Sequence, residues 1–170
     1  MTSPDQQSGE PEGPSDRAPF LVRFPPPFLF ILFYVAGLAI NYEIPLGIVS
    51  GSVRSAASVI GGFLVIVGVL IALASLAMFF HRRTTLKPHG HPMHLVDYGP
   101  FLISRNPMYL SLVLVYAGAA IWTVCLWALV LLVIPFAIMN VLVIPYEERR
   151  LKAIFGSSYD EYAGRVRRWI

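Results

Sequence analysis

Residues 107 to 145 read PMYLSLVLVYAGAAIWTVCLWALVLLVIPFAIMNVLVIP, a run without a single Asp, Glu, Lys or Arg, and its length decides the fold. A bilayer core roughly 30 Å thick is crossed by about 20 residues of α-helix rising about 1.5 Å each. This run is too long for one crossing and reads as two spans folded back on each other. The turn falls near Trp122 to Trp127, where two indoles and Thr123 suit the headgroup level, an environment apolar on one side and wet on the other.

Working outward, two more apolar segments precede the hairpin, so the chain is expected to carry about four transmembrane helices, at about 28–46, 58–80, 107–123 and 126–145. Composition agrees: 56% hydrophobic and 14% charged residues, with a mean hydropathy of +0.64, lie far from the soluble average. The fold class is an all-α integral membrane protein. The first two spans read as scaffold, with Gly37, Gly61, Gly62 and Gly68 permitting close helix contact. Glu43, beside Asn41 and Tyr42 and ahead of Pro45, reads as an interfacial end residue.

Residues 1–24 are rich in Pro, Gly, Ser, Asp and Glu, cannot bury enough apolar surface to offset ordering entropy, and are expected to be a disordered tail. They lack a signal-peptide pattern, so span one reads as a permanent helix. The membrane domain is then 25–170, with a connector at 81–106 and an amphipathic tail at 147–170. Arg82, Arg83, Lys87 and Arg105 fall in the connector, and Arg149, Arg150, Lys152, Arg165, Arg167 and Arg168 follow span four, against Arg54 alone on the other side. Positive loops stay inside, which puts both termini in the cytoplasm. The net charge of +3 is therefore a topology signal and calls for no nucleic acid. Cys125 stands alone, excluding an internal disulfide, and is expected to fill space near the hairpin turn.

Chemistry-bearing residues collect at the cytoplasmic end. His81, His89, His91 and His94 have a superficial metal look, but no Cys and only Asp97 accompany them, so no metal is expected. In SRNPMYL, residues 104–110, Pro107 suits the first helical position and Asn106 the N-cap, its side-chain oxygen accepting from a free N–H. Arg105 is on the unfavourable end of the helix dipole and asks for an anion. Tyr109, four residues on, projects to the same side. Glu147 and Glu148 enter at membrane level at the end of span four, and antiparallel pairing of the hairpin brings them beside Arg105 and Tyr109. One salt bridge would leave an acid over, which favours a charged ligand pocket above a purely structural pair. In the tail, Leu151, Ile154, Phe155, Tyr159, Tyr162, Val166 and Trp169 are expected to face the bilayer or the bundle, and Arg165, Arg167 and Arg168 the headgroups.

From Thr84 to the C-terminus, TTLKPHGHPMHLVDYGPFLISRNPMYL, the hairpin, and EERRLKAIFGSSYDEYAGRVRRW together resemble the membrane methyltransferases related to isoprenylcysteine carboxyl methyltransferase and phospholipid methyltransferase. That family carries a GPY-x-x-x-RHPxY segment, a hairpin, a glutamate pair and an FG-x-x-Y-x-x-Y tail. The resemblance implies S-adenosyl-L-methionine in a cytoplasmic pocket and a lipophilic acceptor drawn from the bilayer, its carboxyl, amine or thiol receiving the methyl group. It implies a cofactor site of Tyr98, Gly99, Pro100, Arg105, Asn106, Pro107, Tyr109, Glu147 and Glu148, with Arg105 and Glu148 catalytic, in a bacterial cytoplasmic membrane. Asn106 stands where the family usually has His; it can donate and accept but does not titrate near neutral pH. Two other readings remain at this point: an NADPH-dependent membrane reductase, whose cofactor phosphates need several cations, and a non-enzymatic lipid-binding membrane protein.

Overall fold

The computed structural model describes residues 24–46, 50–81, 95 and 97–170. The expected N-terminal tail (save Phe24), His89, His91 and His94 lie outside the described residues, as does most of the connector. All regular structure among the described residues is helical: α1 (Pro26–Glu43), α2 (Gly51–His81), a 3-10 turn (Gly99–Leu102), α3 (Pro107–Trp122), α4 (Leu126–Phe155) and α5 (Ser157–Arg165). Among the described residues three helical stretches are long and apolar enough to cross a membrane, Pro26–Glu43, Gly51–Met78 and Leu126–Phe155, while Pro107–Trp122 is a shorter apolar helix.

Local chemistry accounts for the ends. α1 begins with Pro26 in its first turn and stops at Ile44 (φ −132°, ψ 78°), which a following Pro45 bars from helical angles. α3 opens on Pro107, whose missing N–H has no helical partner to lose. It closes with Val124 in the left-handed region (φ 52°). There Val124 N–H donates to the Ile121 carbonyl and Cys125 N–H to the Ala120 carbonyl, the paired bonds of a Schellman turn.

α4 differs from the expected span, which ended at Pro145; the helix continues to Phe155. Proline has no N–H and its ring crowds the carbonyl four residues back, so Pro145 should interrupt an α-helix. The chain widens instead into a π-helical turn at Met139–Val143, where Ile144 N–H bonds the Met139 carbonyl five residues away. The helix thus carries Glu147 and Glu148 inside its length.

The α2–α3 contact is the closest in the bundle. Gly61, Gly68 and Ser75 recur every seven residues on α2, all buried; Gly61 abuts the buried Gly118 and Gly68 the buried Ser111 of the antiparallel α3. A Cβ on Gly61 would lie 2.5 Å from the Trp122 backbone nitrogen and 2.6 Å from the Gly118 carbonyl oxygen. Among lipid tails no hydrophobic effect drives helices together, so close van der Waals contact between small residues has to. On the other side, α1 meets α4 where Gly37 abuts the Ala128 backbone, and Trp127 Nε1 donates to the Ile44 carbonyl at 2.8 Å. Phe30, Tyr116, Ala120, Cys125, Ala128, Met139, Val143 and Ile144 form the core between them. Cys125 sits in this core beside the turn, its thiol directed at the Gly37 carbonyl. Large apolar side chains such as Phe28, Ile31, Val59, Phe63 and Leu70 point outward, the arrangement suited to a lipid solvent.

Because the atoms facing Gly61 are backbone, Gly61→Ala should destabilise the bundle by about 1–3 kcal/mol, the usual cost of overpacking. Nothing lies within 4 Å of a Cβ on Gly62. Gly62→Ala should therefore leave the thermal unfolding midpoint in detergent unchanged, while Gly61→Ala lowers it.

Candidate functional site

At the end of the hairpin opposite the Schellman turn, the start of α3 and the lower half of α4 meet the C-terminal residues. Ser104 is fully buried and organises the approach: its Oγ accepts the Asn106 N–H at 3.1 Å and donates to the Arg168 carbonyl at 3.2 Å. Asn106 Nδ2 donates to the same carbonyl at 3.1 Å, and Arg105 N–H to the Arg167 carbonyl at 3.0 Å. Residues 166–170, which follow α5, are thereby strapped across the mouth of the hairpin. The side chain of Asn106 makes no cap hydrogen bond. Asn106 occupies the expected N-cap position without the expected side-chain bond; its side-chain amide N–H instead holds the strap, donating to a tail carbonyl that has to be satisfied.

The two glutamates diverge because successive helical residues point about 100° apart. Glu147 faces α3 and accepts the Tyr109 hydroxyl at 2.7 Å. Glu148 faces the strap, where Arg168 grips it with two bonds, Nε to Oε1 at 3.1 Å and a terminal nitrogen to Oε2 at 2.6 Å. Arg105 reaches the same carboxylate more loosely, at 3.4 Å. Arg105 Nε is buried with no hydrogen-bond partner. Arg105 and Tyr109 thus serve different glutamates rather than one.

A second layer backs this cluster. Phe101, Tyr159, Tyr162 and Val166 are buried together, with Met78, Leu95, Tyr98, Leu151 and Phe155 packed around them. The Tyr162 hydroxyl donates to the Phe101 carbonyl at 2.8 Å. Gly99 (φ 62°) takes a conformation L-residues avoid, and a Cβ there would run into Met78. Tyr98, Gly99 and Pro100 belong to this layer, which meets the charged cluster at Tyr159, whose phenol interacts electrostatically with Arg105. Burial raises the Tyr159 phenol above its usual range and Glu148 adds to the effect, while Arg105 and Arg168 oppose it. Tyr162 is pushed up to about 12, by burial first and then by Tyr159. Arg168 is raised as well, chiefly through its hydrogen bond to Glu148.

The fold brings together Arg105, Tyr109, Glu147 and Glu148, which sequence reasoning had grouped; Trp169, expected against the bilayer or the bundle, packs on the bundle, while the ties made by Arg168 and Asn140 were missed. Arg168 faces Glu148 and not the headgroups. Trp169 stacks on Phe136 with ring centres 4.9 Å apart, and its Nε1 donates to Asn140 Oδ1 at 3.0 Å. Asn140 lies in the π turn, so the strap is tied to α4 at two levels. One signal was available: two adjacent acids beside a single Arg105 ask for a second cation, and RRW closes the chain.

The chain matches the phospholipid methyltransferase family over residues 56–158, more than half its length. It belongs to that family. No curated protein and no solved structure matches it. The matched stretch runs from α2 into α5 and contains the α2–α3 contact, Arg105, Tyr109 and both glutamates. Membership makes the protein a membrane methyltransferase, consistent with its three membrane-length apolar helices. The strap with Arg168 and Trp169 lies beyond the matched residues.

A phenol whose pKa is higher folded than unfolded stabilises the fold fully below its unfolded value and loses that contribution as pH rises through the folded one. For Tyr162 the window runs from the ordinary 10.0 to about 12. Stability measured by denaturant titration should fall across pH 10–12, and Tyr162→Phe should make the fall shallower.

Proposed function

We propose that the protein transfers a methyl group from S-adenosylmethionine to a lipophilic acceptor entering from the bilayer, as an enzyme of the type related to isoprenylcysteine carboxyl methyltransferase. The observation carrying this reading is the buried charged cluster of Arg105, Tyr109, Glu147 and Glu148 at the mouth of an apolar hairpin. When bound, the cofactor supplies an electrophilic methyl carbon on a sulfonium, which leaves as a neutral thioether when the acceptor's electron pair takes the methyl group.

The residues present fit such a zwitterion. Arg105 carries an unsatisfied buried Nε, and leaving such a donor unpaired costs about 1–3 kcal/mol, so a ligand carboxylate there would be favoured. Glu147, whose carboxylate is engaged only by a neutral phenol among the hydrogen bonds described, would pair with the ammonium. Glu148 was expected to act beside Arg105; held by two guanidiniums, it serves better as their counter-ion. Pro107 sets the start of α3, and Asn106 fixes the strap that closes the mouth. The aromatic layer of Tyr98, Tyr159 and Tyr162, with the Gly99–Pro100 turn, gives planar cover for a base and excludes water. Alignment and exclusion of water carry most of an in-line displacement, so Asn106 in place of an imidazole is no obstacle. A carboxylate or thiolate acceptor needs no base; for an amine, Glu147 would take the proton.

The site is proposed to face the cytoplasm, following the Lys and Arg distribution. α3 would then be a fourth crossing. Its 16 residues give a length of about 24 Å, shorter than the bilayer core, so local thinning of the bilayer or extension of its side chain would bring Arg105 to the interface. A water-soluble methyl donor and a lipid acceptor could meet there.

Calorimetric titration with S-adenosylmethionine should show binding to the purified protein. Arg105→Ala and Glu147→Gln should each weaken it at least tenfold, about 1.4 kcal/mol. Unchanged affinity in both variants would remove the site assignment.

A further inference from the structure

Glu148 is contested by two cations and divided unequally between them. Arg168 holds it with two hydrogen bonds at 3.1 and 2.6 Å, the fork geometry in which guanidinium and carboxylate bind most strongly. Arg105 makes a single 3.4 Å contact with that carboxylate, lies beside the Tyr159 phenol, and has a buried Nε with no partner. Two guanidiniums share the one carboxylate of Glu148, and the less engaged of them, Arg105, is left with hydrogen-bonding capacity to spare. The strap that delivers Arg168 is itself well fastened: Ser104 and Asn106 hold the Arg168 carbonyl, and Asn140 and Phe136 hold Trp169.

We infer that Arg168 is a positioning residue: by occupying Glu148 it keeps Arg105 free to bind the carboxylate of the methyl donor. Without Arg168, Arg105 is the remaining cation within reach of a carboxylate that is only 17% exposed and has to be paired. Arg105 then closes fully onto Glu148, and its capacity for a ligand anion is lost. Lysine at 168 restores the charge but not the fork, so it recovers part of the effect. The inference rests on the proposed cofactor and concerns a residue outside the family match.

The test compares two adenosine ligands in the full-length protein. S-adenosylhomocysteine carries the amino-acid carboxylate; 5′-methylthioadenosine lacks it. Arg168→Ala should weaken S-adenosylhomocysteine about tenfold, the order expected for one lost charged hydrogen bond, and leave 5′-methylthioadenosine within about twofold. Arg168→Lys should fall between Arg168→Ala and the natural protein. Equal loss for both ligands would make Arg168 merely structural and overturn the inference; tighter S-adenosylhomocysteine binding would make it a competitor and overturn it as well. A natural protein that binds neither ligand overturns the proposed cofactor instead. The Nε resonance of Arg105 then still decides the inference without ligand, since it should shift on Arg168→Ala and an unmoved resonance refutes it. Slow exchange of the Arg105 amide, bonded to the Arg167 carbonyl, shows that the strap is still docked in each variant.

Discussion

The carboxylate of Glu148 is the point on which the architecture at the open end of the hairpin depends. It projects from a helix long and apolar enough to span a membrane, in surroundings where an unpaired charge would be costly. Its two guanidiniums come from segments far apart in sequence, one just before α3 and one in the last turn of the chain. Satisfying one acid therefore joins the hairpin to the C-terminus. Nearly every other polar contact in the region serves that junction: Ser104 and Asn106 receive the strap backbone, and Asn140 with Phe136 receives its tryptophan. Buried ion pairs often add little net stability. Here the pair decides which segments meet.

What could be read from the sequence followed from physical range. Apolar runs are local, and a run from 107 to 145 exceeds any single crossing whatever the rest of the chain does, so the hairpin was legible from length alone. Antiparallel pairing of that hairpin then forces residues 105–109 toward 147–148, and those contacts exist. The docking of residues 166–170 obeys no periodicity. It is made by backbone carbonyls and single side chains separated by about sixty positions, which no local pattern encodes. The side chain of Asn106 follows the same pattern: local chemistry puts the residue at the N-cap, while its Nδ2 donates to a carbonyl 62 positions away.

Continuation of α4 beyond Pro145 was also unforeseen, and its cause is instructive. Proline forbids an α-helical hydrogen bond but not a helix, provided the preceding turn widens so that the ring clears the carbonyl behind it. The π turn at Met139–Val143 does this. Widening shifts the angular register of everything after it. Glu147 then points at Tyr109 while Glu148 points at the strap, and Asn140, in the widened turn itself, meets Trp169. A straight α-helix through the same residues would set the two acids at different angles relative to the core residues Met139 and Val143.

The same turn explains how a rigid bundle supports a polar site at its edge. Above it, α2 and α3 touch backbone to backbone through Gly61 and Gly118, and α1 and α4 through Gly37 and Ala128, leaving no room for a ligand between them. Below it, the spacing is set by long side chains, namely Arg105, Arg168, Tyr109, Tyr159 and both glutamates, whose contacts are hydrogen bonds and ring edges. Close packing among lipid tails fixes where the helices end. The charged side chains then fill the wider gap at that end, where hydrogen bonds between side chains can be exchanged without separating the helices above.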